Sequence, residues 1–504
     1  MKLTKTNFLL LCDCAHNAWI KVNRPDFYSA RPLSAFDLGL IETGNEVDDL
    51  ARDLFPGGVE GGHGQIERTL HLIASRSPIV YQPAFETDRF STACDILVFN
   101  AAAGVYDLYE VKASTDGDGK AANDKLYASD IAFQANVLQA CGVPIGVLNL
   151  VRLNSAYVRG DVLDIQTLFA VEDFTQRVDE IRAETLERMN GAFEFLSRLE
   201  QPSGPCDCIT KGRSAHCTTF DASNPDVPSY SVHDISRIGS SKKKLAALVD
   251  AHILAIQDVP DDFELSDIQS LQVQCAKSGR EVVDPDAIKA LLSNYQFPLA
   301  FFDYETYPAA IPRFQGYRPF DQIPFQFSLD VLRTLEGQIE HFEFLDTEVG
   351  CPDQRLIAAL KAFMPAHGSI VTWNKQFEIG INKRLAAREP EFAAFIDDLN
   401  ARVVDLMEVF GSQACIHPGF KGRTSIKYIL PVLVPYLSYE ALEVQEGGTA
   451  SQTWNAIVSG TLTAEDEGLK KAALLTYCAL DTRAMREIWR ALKNYNATEE
   501  NVSP

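Results

Sequence analysis

Three groups of side chains in this chain could carry chemistry. The first lies in Pro298-Leu-Ala-Phe-Phe-Asp-Tyr-Glu-Thr306, an apolar run that ends on two acids. Side chains alternate along a strand, so Asp303 and Glu305 share a face and Tyr304 points the other way. Two adjacent carboxylates repel unless a cation lies between them. Hard divalent ions such as Mg²⁺ and Mn²⁺ suit that oxygen donor set; a solvated strand end is the plainer alternative. The second group is Asp95, Glu110, Lys112 and Gln134. Glu110 and Lys112 are two apart and share a strand face, and Asp95 on a neighbouring strand can meet them. An acid pair would hold Mg²⁺ or Mn²⁺ while the lysine positions water and stabilises charge on a phosphate, which is the equipment of phosphodiester cleavage. A cross-strand ion pair explains the same residues without chemistry. The third group is Cys206, Cys208 and Cys217, three thiols within twelve residues of polar loop. With Cys14 as a distant fourth ligand they suit a soft metal. Zinc and an iron–sulfur cluster are both open, and His216 is a further ligand in the zinc case.

The opening acids acquire partners farther along. Asn374 and Glu378 are four apart, as are Tyr477 and Asp481, and on helices each pair shares a face. Asp303, Glu305, Glu378 and Asp481 would then supply four carboxylates, enough for two metals that clamp the attacking and leaving oxygens. Tyr477, one turn before Asp481, could orient water. Asp405 reads as a helix-cap or loop residue.

The elements that must position these residues follow from periodicity. Residues 36–55 form an amphipathic helix closed by Pro56-Gly-Gly58, and 66–75 another. Strands are expected at 79–85, 91–99, 106–113 and 144–152, with a helix at 125–141 between the last two. This alternation predicts an α/β core. Residues 163–200 read as long helical segments, 222–240 as a Pro/Ser/Asn-rich linker, and 235–295 as a small helical module containing the lysine run 242–244. Beyond the opening strand, 320–333, 340–345 and 369–373 are strands, and 353–364, 374 onward and 470–492 are helices.

Composition sets the frame. The chain has 504 residues, 46% hydrophobic and 23% charged, with the balance of an ordinary globular protein. No apolar run spans a bilayer, and no cleavable leader is evident, so a cytoplasmic protein without membrane attachment is expected. The net charge of −23 argues against indiscriminate nucleic-acid binding, although it does not say where the cations sit. Eleven cysteines in such a chain are not expected to pair as disulfides; Cys94, Cys141, Cys275, Cys351, Cys415 and Cys478 read as small core residues.

The motifs Asp303-x-Glu305, Asn374-x-x-Phe377-Glu378 and Tyr477-x-x-x-Asp481, in that order, resemble the DnaQ-like 3′–5′ exonucleases of the DEDDy type, which have a ribonuclease-H-like fold. Glu378 stands where that family usually has Asp. Residues 1–221 resemble the RecB-like PD-(D/E)XK nucleases. They are closest to the CRISPR-associated members in which one early and three late cysteines hold a 4Fe–4S cluster. Cys14-Ala-His-Asn-Ala-Trp19 is similar to the first-cysteine motif, Asp95, Glu110-Val-Lys112 and Gln134 to the catalytic set, and Cys206, Cys208 and Cys217 to the late trio. Here the late spacing is C-x-C-x8-C, and Gly44-Asn-Glu46-Val47 stands where those enzymes often place a metal-binding His. As a whole the chain resembles bacterial predicted RecB-family nucleases that join these halves. The resemblance implies an α/β protein with three parts and a tail. A PD-(D/E)XK restriction-endonuclease-like domain with an iron–sulfur site covers 1–221. A linker and small helical module covers 222–295, a ribonuclease-H-like exonuclease domain 296–495, and 496–504 form the tail. It implies a metal-dependent nuclease with two sites, DNA as the expected substrate and RNA as the alternative. A nucleic-acid-binding or scaffold protein with dead sites is the competing expectation.

Overall fold

The structure is a computed structural model that describes residues 1–29, 33–62, 64–117 and 120–497; the end of the expected tail lies outside these. It is a mixed α/β protein built as two compact units. The first comprises 1–209, 215–225 and 309–321; the second comprises 210–214, 226–308 and the chain from Gln322 onward. The expected helical module at 235–295 therefore groups with the C-terminal unit instead of standing alone, and each unit borrows a short segment from the other's stretch of sequence.

In the first unit, helices α1 (Lys5–Asp13) and α2 (Ala15–Asn23) precede α3 (Ala35–Ala51). Ser34 and Asp37 close a reciprocal capping box that fixes where α3 starts. The main sheet contains β1 (Val59–Glu60), β2 (Ile79–Tyr81), β3 (Ile96–Asn100), β4 (Val105–Thr115), β5 (Ile145–Leu153) and β6 (Phe169–Asp173), in that order across the sheet. β4 runs antiparallel to β3 and parallel to β5. The parallel step needs a crossover, and α4 (Lys120–Ala140) supplies it. α5 (Thr175–Leu196) follows β6. The expected helical stretch 163–200 is thus interrupted by a strand: Phe169-Ala-Val-Glu-Asp173 pairs antiparallel with β5 and buries Phe169, so tertiary pairing overrides a helical pattern there. Alternation along β4 divides its side chains. Tyr106 and Leu108 pack with Ile131, Phe133 and Leu138 of α4, while Tyr109 and Val111 pack with Val47 and Ala51 of α3.

In the second unit, β7 (Leu299–Pro308), β8 (Gln322–Leu332), β9 (Ile339–Leu345), β10 (Ile370–Thr372) and β11 (Val403–Asp405) make one sheet in the order β9-β8-β7-β10-β11. β7 is antiparallel to β8 and parallel to β10, which is parallel to β11. Helices α6 (Asp353–Phe363) and α7 (Lys375–Arg388) cover one face through Leu356, Ile357, Ile381 and Leu385, packed on Ala300, Phe302 and Tyr304. α8 (Gly447–Val458) and α9 (Ala464–Ala497) lie toward the other face. There Gln326 donates to the Leu474 carbonyl (2.9 Å), Ser451 to the Thr306 carbonyl (2.6 Å), and the Phe301 ring meets Trp489. Burying each of these large apolar side chains contributes about 1.5–3 kcal/mol, which holds the helices that carry the site against the faces of the sheet.

Candidate active sites and a candidate metal centre

Glu110 and Lys112 lie on the α4 face of β4, as period-two alternation requires. α4 presents Asp130 and Gln134, one turn apart, to the same space. The Lys112 ammonium donates to Glu110 Oε1 and to Asp130 Oδ2, both at 2.6 Å. Gln134 Nε2 donates to Glu110 Oε2 (2.7 Å) and to Asp130 Oδ1 (3.0 Å). Lys5, from α1, brings a second ammonium to Glu110 Oε1 at 2.7 Å and lies 3.4 Å from Asp130. Asp95, just before β3, accepts from the Val111 N–H at 2.7 Å. Burial would push Glu110 up, but Lys112 and Lys5 overcome it and hold its carboxyl below the usual range. Burial, then the charge of Glu110, pushes Asp95 and Asp130 up. Asp48 of α3 also acts electrostatically on Asp95, and its Oδ1 is buried with no partner among the described residues. All four expected residues therefore meet. Sequence reasoning missed Lys5, Asp130 and Asp48. Asp130 was detectable as the residue one turn before Gln134, whereas nothing local to Lys5 signals its place.

In the second unit Asp303 and Glu305 do share a face of β7. A carboxylate oxygen of each and the Cys478 sulfur of α9 lie within 4.8 Å of one another. Cys478, expected as a core residue, is fully buried, yet its thiol is 3.9 Å from Asp303 Oδ2. Asp481 lies one turn beyond Tyr477 on α9. It accepts a hydrogen bond from Tyr439 at 2.5 Å, and the nearby Tyr477 hydroxyl also favours its charged form. Lys427 lies 5.8 and 5.9 Å from the ring centroids of Tyr439 and Tyr477 and donates to the Gln445 carbonyl (2.6 Å). The charges of Asp481, Glu305 and Glu378 all act on Asp303, so the four acids converge. Burial, then Asp481 and Glu305, pushes Asp303 well up; burial, then Asp481, does the same to Glu305. Burial lifts Asp481 to about 6 against the Tyr439 hydrogen bond, lifts Glu378 to about 8, and raises the Tyr477 hydroxyl.

One expectation is corrected here. Asn374 does not share a helical face with Glu378. It precedes α7 with φ 130°, outside the ordinary L-residue regions. The turn from β10 into α7 is sharp, and Asp405 secures it: one carboxylate oxygen accepts from the Lys375 N–H and the other from the Met407 N–H, both at 3.0 Å. Asp405 thus caps the helix. Glu378, 3% exposed, emerges from the first turn of α7 with Oε2 lacking any partner among the described residues. A buried carboxylate oxygen without a donor, whose charge acts on Asp303, fits an ion-binding role, and the carboxylate oxygens suit Mg²⁺ or Mn²⁺. Lys427 and Tyr439 were not foreseen; both lie far from the three motifs in sequence.

The four cysteines also assemble. Cys14 lies between α1 and α2, and Cys206, Cys208 and Cys217 lie in the loop after α5. All are buried, with their sulfurs within 4.8 Å of one another. Hydrogen bonds from Cys14 and Cys217 favour the thiolate of Cys206, the form that binds metal. Asn224 Nδ2 donates to that sulfur at 3.2 Å, and Asp207 accepts from the Ala15 N–H at 2.9 Å, which ties the loop to α2. His216 stacks on Phe220 and is not one of the converging groups. Zinc, about 2.3 Å from each sulfur, sets tetrahedral thiolates about 3.8 Å apart, inside the observed limit. A four-iron cubane needs its thiolates farther apart, so the residues fit a single ion as they stand and would have to spread for a 4Fe–4S cluster.

Residues 300–425 match the family described as "Domain of unknown function (DUF2779)". The match takes in Asp303, Glu305 and Glu378 and stops before Tyr477 and Asp481. The chain is also similar to a Mycoplasma pneumoniae protein described as "Uncharacterized protein MG366 homolog", 27% identical over 214 residues. That similarity takes in 39% of this chain and only 32% of the Mycoplasma protein. No solved structure matches the chain.

Proposed function

We propose that the protein is a metal-dependent nuclease that hydrolyses phosphodiester bonds, with DNA the expected substrate, and that the C-terminal unit is its principal catalytic part. The observation that carries this is the gathering of Asp303 and Glu305 on one strand face with Glu378 and Asp481 from two helices acting on Asp303, and Asp481 held by Tyr439. The sheet order, with one antiparallel pair joined to three parallel strands around β7, supports the resemblance to DnaQ-like exonucleases. Mg²⁺ or Mn²⁺, when bound, would supply Lewis-acid stabilisation of charge on the scissile phosphate. The four carboxylates would hold it. Tyr439 fixes the rotamer of Asp481, Tyr477 orients water, and Lys427 adds positive charge where the phosphate charge grows.

The N-terminal unit supports a PD-(D/E)XK reading through Asp95, Glu110, Lys112 and Gln134. A specific observation favours a second reading for this site. Both oxygens of Glu110 are engaged, by Lys5 and Lys112 on one and by Gln134 on the other. A metal must displace Lys5 and Lys112 from one oxygen, or Gln134 from the other, before Glu110 can bind it, so this unit is a binding module unless these donors move. The four thiolates form a structural staple for one zinc ion. No cysteine among the described residues is in a disulfide, which suits a reducing, cytoplasmic setting. Among the described residues no helix is long and apolar enough to cross a membrane.

The test is a panel of single- and double-stranded DNA and RNA with Mg²⁺ and Mn²⁺, comparing the unmodified chain with Asp303→Asn. Nucleotide release that disappears in Asp303→Asn is the expected result. No release from any substrate, or release unaffected by the substitution, removes the C-terminal site from the reading.

A further inference from the structure

A cleft of about 600 Å³ lies in the second unit, lined by Arg213, Arg237, Lys421 and Arg423 together with His233 and Asp234. Four permanent cations around one cleft are unexpected in a chain of net charge −23. Asp234 is the one acid among the lining residues described, and Arg213 already grips it with two nitrogens. Arg423 lies 3.9 Å from the same carboxylate and donates to the Tyr428 hydroxyl (2.6 Å). That leaves Arg237 and Lys421 with no acidic partner among the described residues, and the cleft with a surplus of positive charge.

The backbone is built for close approach here. Arg237 and Lys421 both adopt left-handed φ, 54° and 49°, which non-glycine residues rarely do. Gly422 follows at φ 69°, and a Cβ there would lie 2.5 Å from the Asp234 carbonyl. At the floor the chain passes itself at Gly212 and Gly239, where a Cβ on Gly212 would lie 2.9 Å from the Gly239 Cα. The lysine run 242–244 begins just after Ser240, which also lines the cleft.

The same segment leads to the carboxylates. Lys427, which acts on both Glu305 and Asp481, is six residues after Lys421, a reach of at most about 22 Å. Between them Thr424 accepts from the Trp373 indole at 3.0 Å, and Trp373 precedes the Asn374 turn that positions Glu378.

We infer that this cleft is a phosphate-binding subsite that grips the backbone of a single nucleic-acid strand a few nucleotides from the carboxylate cluster. The inference rests on the nuclease reading of the second unit and adds the path of its substrate. Arg237 and Lys421 are the residues that recognise the phosphodiester. Arg213 and Asp234 fix the wall behind them.

The experiment uses the full chain carrying Asp303→Ala to block hydrolysis, with a fluorescent oligothymidylate and, separately, inorganic triphosphate as ligands. Arg237→Glu/Lys421→Glu is compared with Lys289→Glu/Lys361→Glu, a charge-matched change at exposed sites elsewhere in the unit. The expected result is at least tenfold weaker oligonucleotide binding in the first pair and less than threefold in the second. The salt dependence should also flatten by about 1.4 in log–log slope for two lost contacts to a single strand. Equal losses in both pairs, or none in the first, overturn the subsite and leave the nuclease reading intact. Triphosphate binding that the first pair abolishes, with no oligonucleotide binding by the parent, overturns both and leaves a small-anion site.

Discussion

Glu378 gives the most direct access to the carboxylate cluster through stability. Its carboxyl moves from an ordinary 4.5 to about 8 because it is buried. At about 1.4 kcal/mol for each pH unit, that gap corresponds to roughly 5 kcal/mol. The folded metal-free protein keeps a proton on Glu378 that the unfolded chain releases above pH 4.5. Stability therefore falls as pH rises between about 4.5 and 8 and bears the full penalty above 8. Glu378→Gln keeps the shape and cannot ionise. In buffer freed of divalent ions, the variant should match the parent near pH 4.5 and exceed it at pH 8.5 by several kcal/mol, on the order of 2–5. Denaturant melts at both pH values read this. Saturating Mg²⁺ should then stabilise the parent, by about 2.7 kcal/mol at a hundredfold excess over its dissociation constant, and leave Glu378→Gln with much less. Activity moves the opposite way and is lost in the variant. Parallel pH curves for the two proteins, or a variant less stable at pH 8.5, would refute the view that this carboxylate is held strained for an ion. Glu378→Asp should leave activity flat or lower, because the site is built around the longer side chain; a rise would show that Glu378 cripples it.

Other perturbations test separate parts. Cys14→Ser should release one zinc per chain and destabilise the first unit by several kcal/mol while the second unit melts unchanged; a brown protein containing iron and sulfide would refute the single-ion assignment. Tyr439→Phe removes the hydrogen bond to Asp481 and should cost activity about tenfold, on the order of 1–1.5 kcal/mol, with folding intact by circular dichroism. Asp405→Ala leaves the Lys375 and Met407 N–H groups without their acceptor and should cost about 1–3 kcal/mol of stability, read from a denaturant melt. In an Asp303→Ala background, Lys112→Ala should abolish any residual hydrolysis without abolishing Mn²⁺ binding, whereas Lys5→Ala should strengthen Mn²⁺ binding by removing one of the two ammonium groups on Glu110 Oε1; unchanged binding in Lys5→Ala would show that Lys5 does not guard the site.

The sequence alone determined which residues alternate and which share a helical turn. Glu110 with Lys112, Asp303 with Glu305, and Tyr477 with Asp481 are pairs two or four apart inside regular elements, where backbone geometry dictates a common face. Asp95, Gln134 and most strand positions were legible because polar groups interrupt otherwise apolar periodic runs, and three of the four cysteines because they crowd into one polar loop. Tertiary structure decided what comes from outside those elements. Lys5 reaches Glu110 across 105 residues, Tyr439 reaches Asp481 across 42, and Arg213 reaches Asp234 from a different loop. No local pattern encodes such contacts, because they depend on how the chain returns. The Phe169–Asp173 strand was hidden in a helical pattern until β5 offered it an edge. Asn374 could not be distinguished from a helical residue until the β10–α7 turn forced its φ to 130°. Periodicity reports the conformation of a segment, while pairing, capping by distant side chains and the charge of a cavity exist only once segments meet.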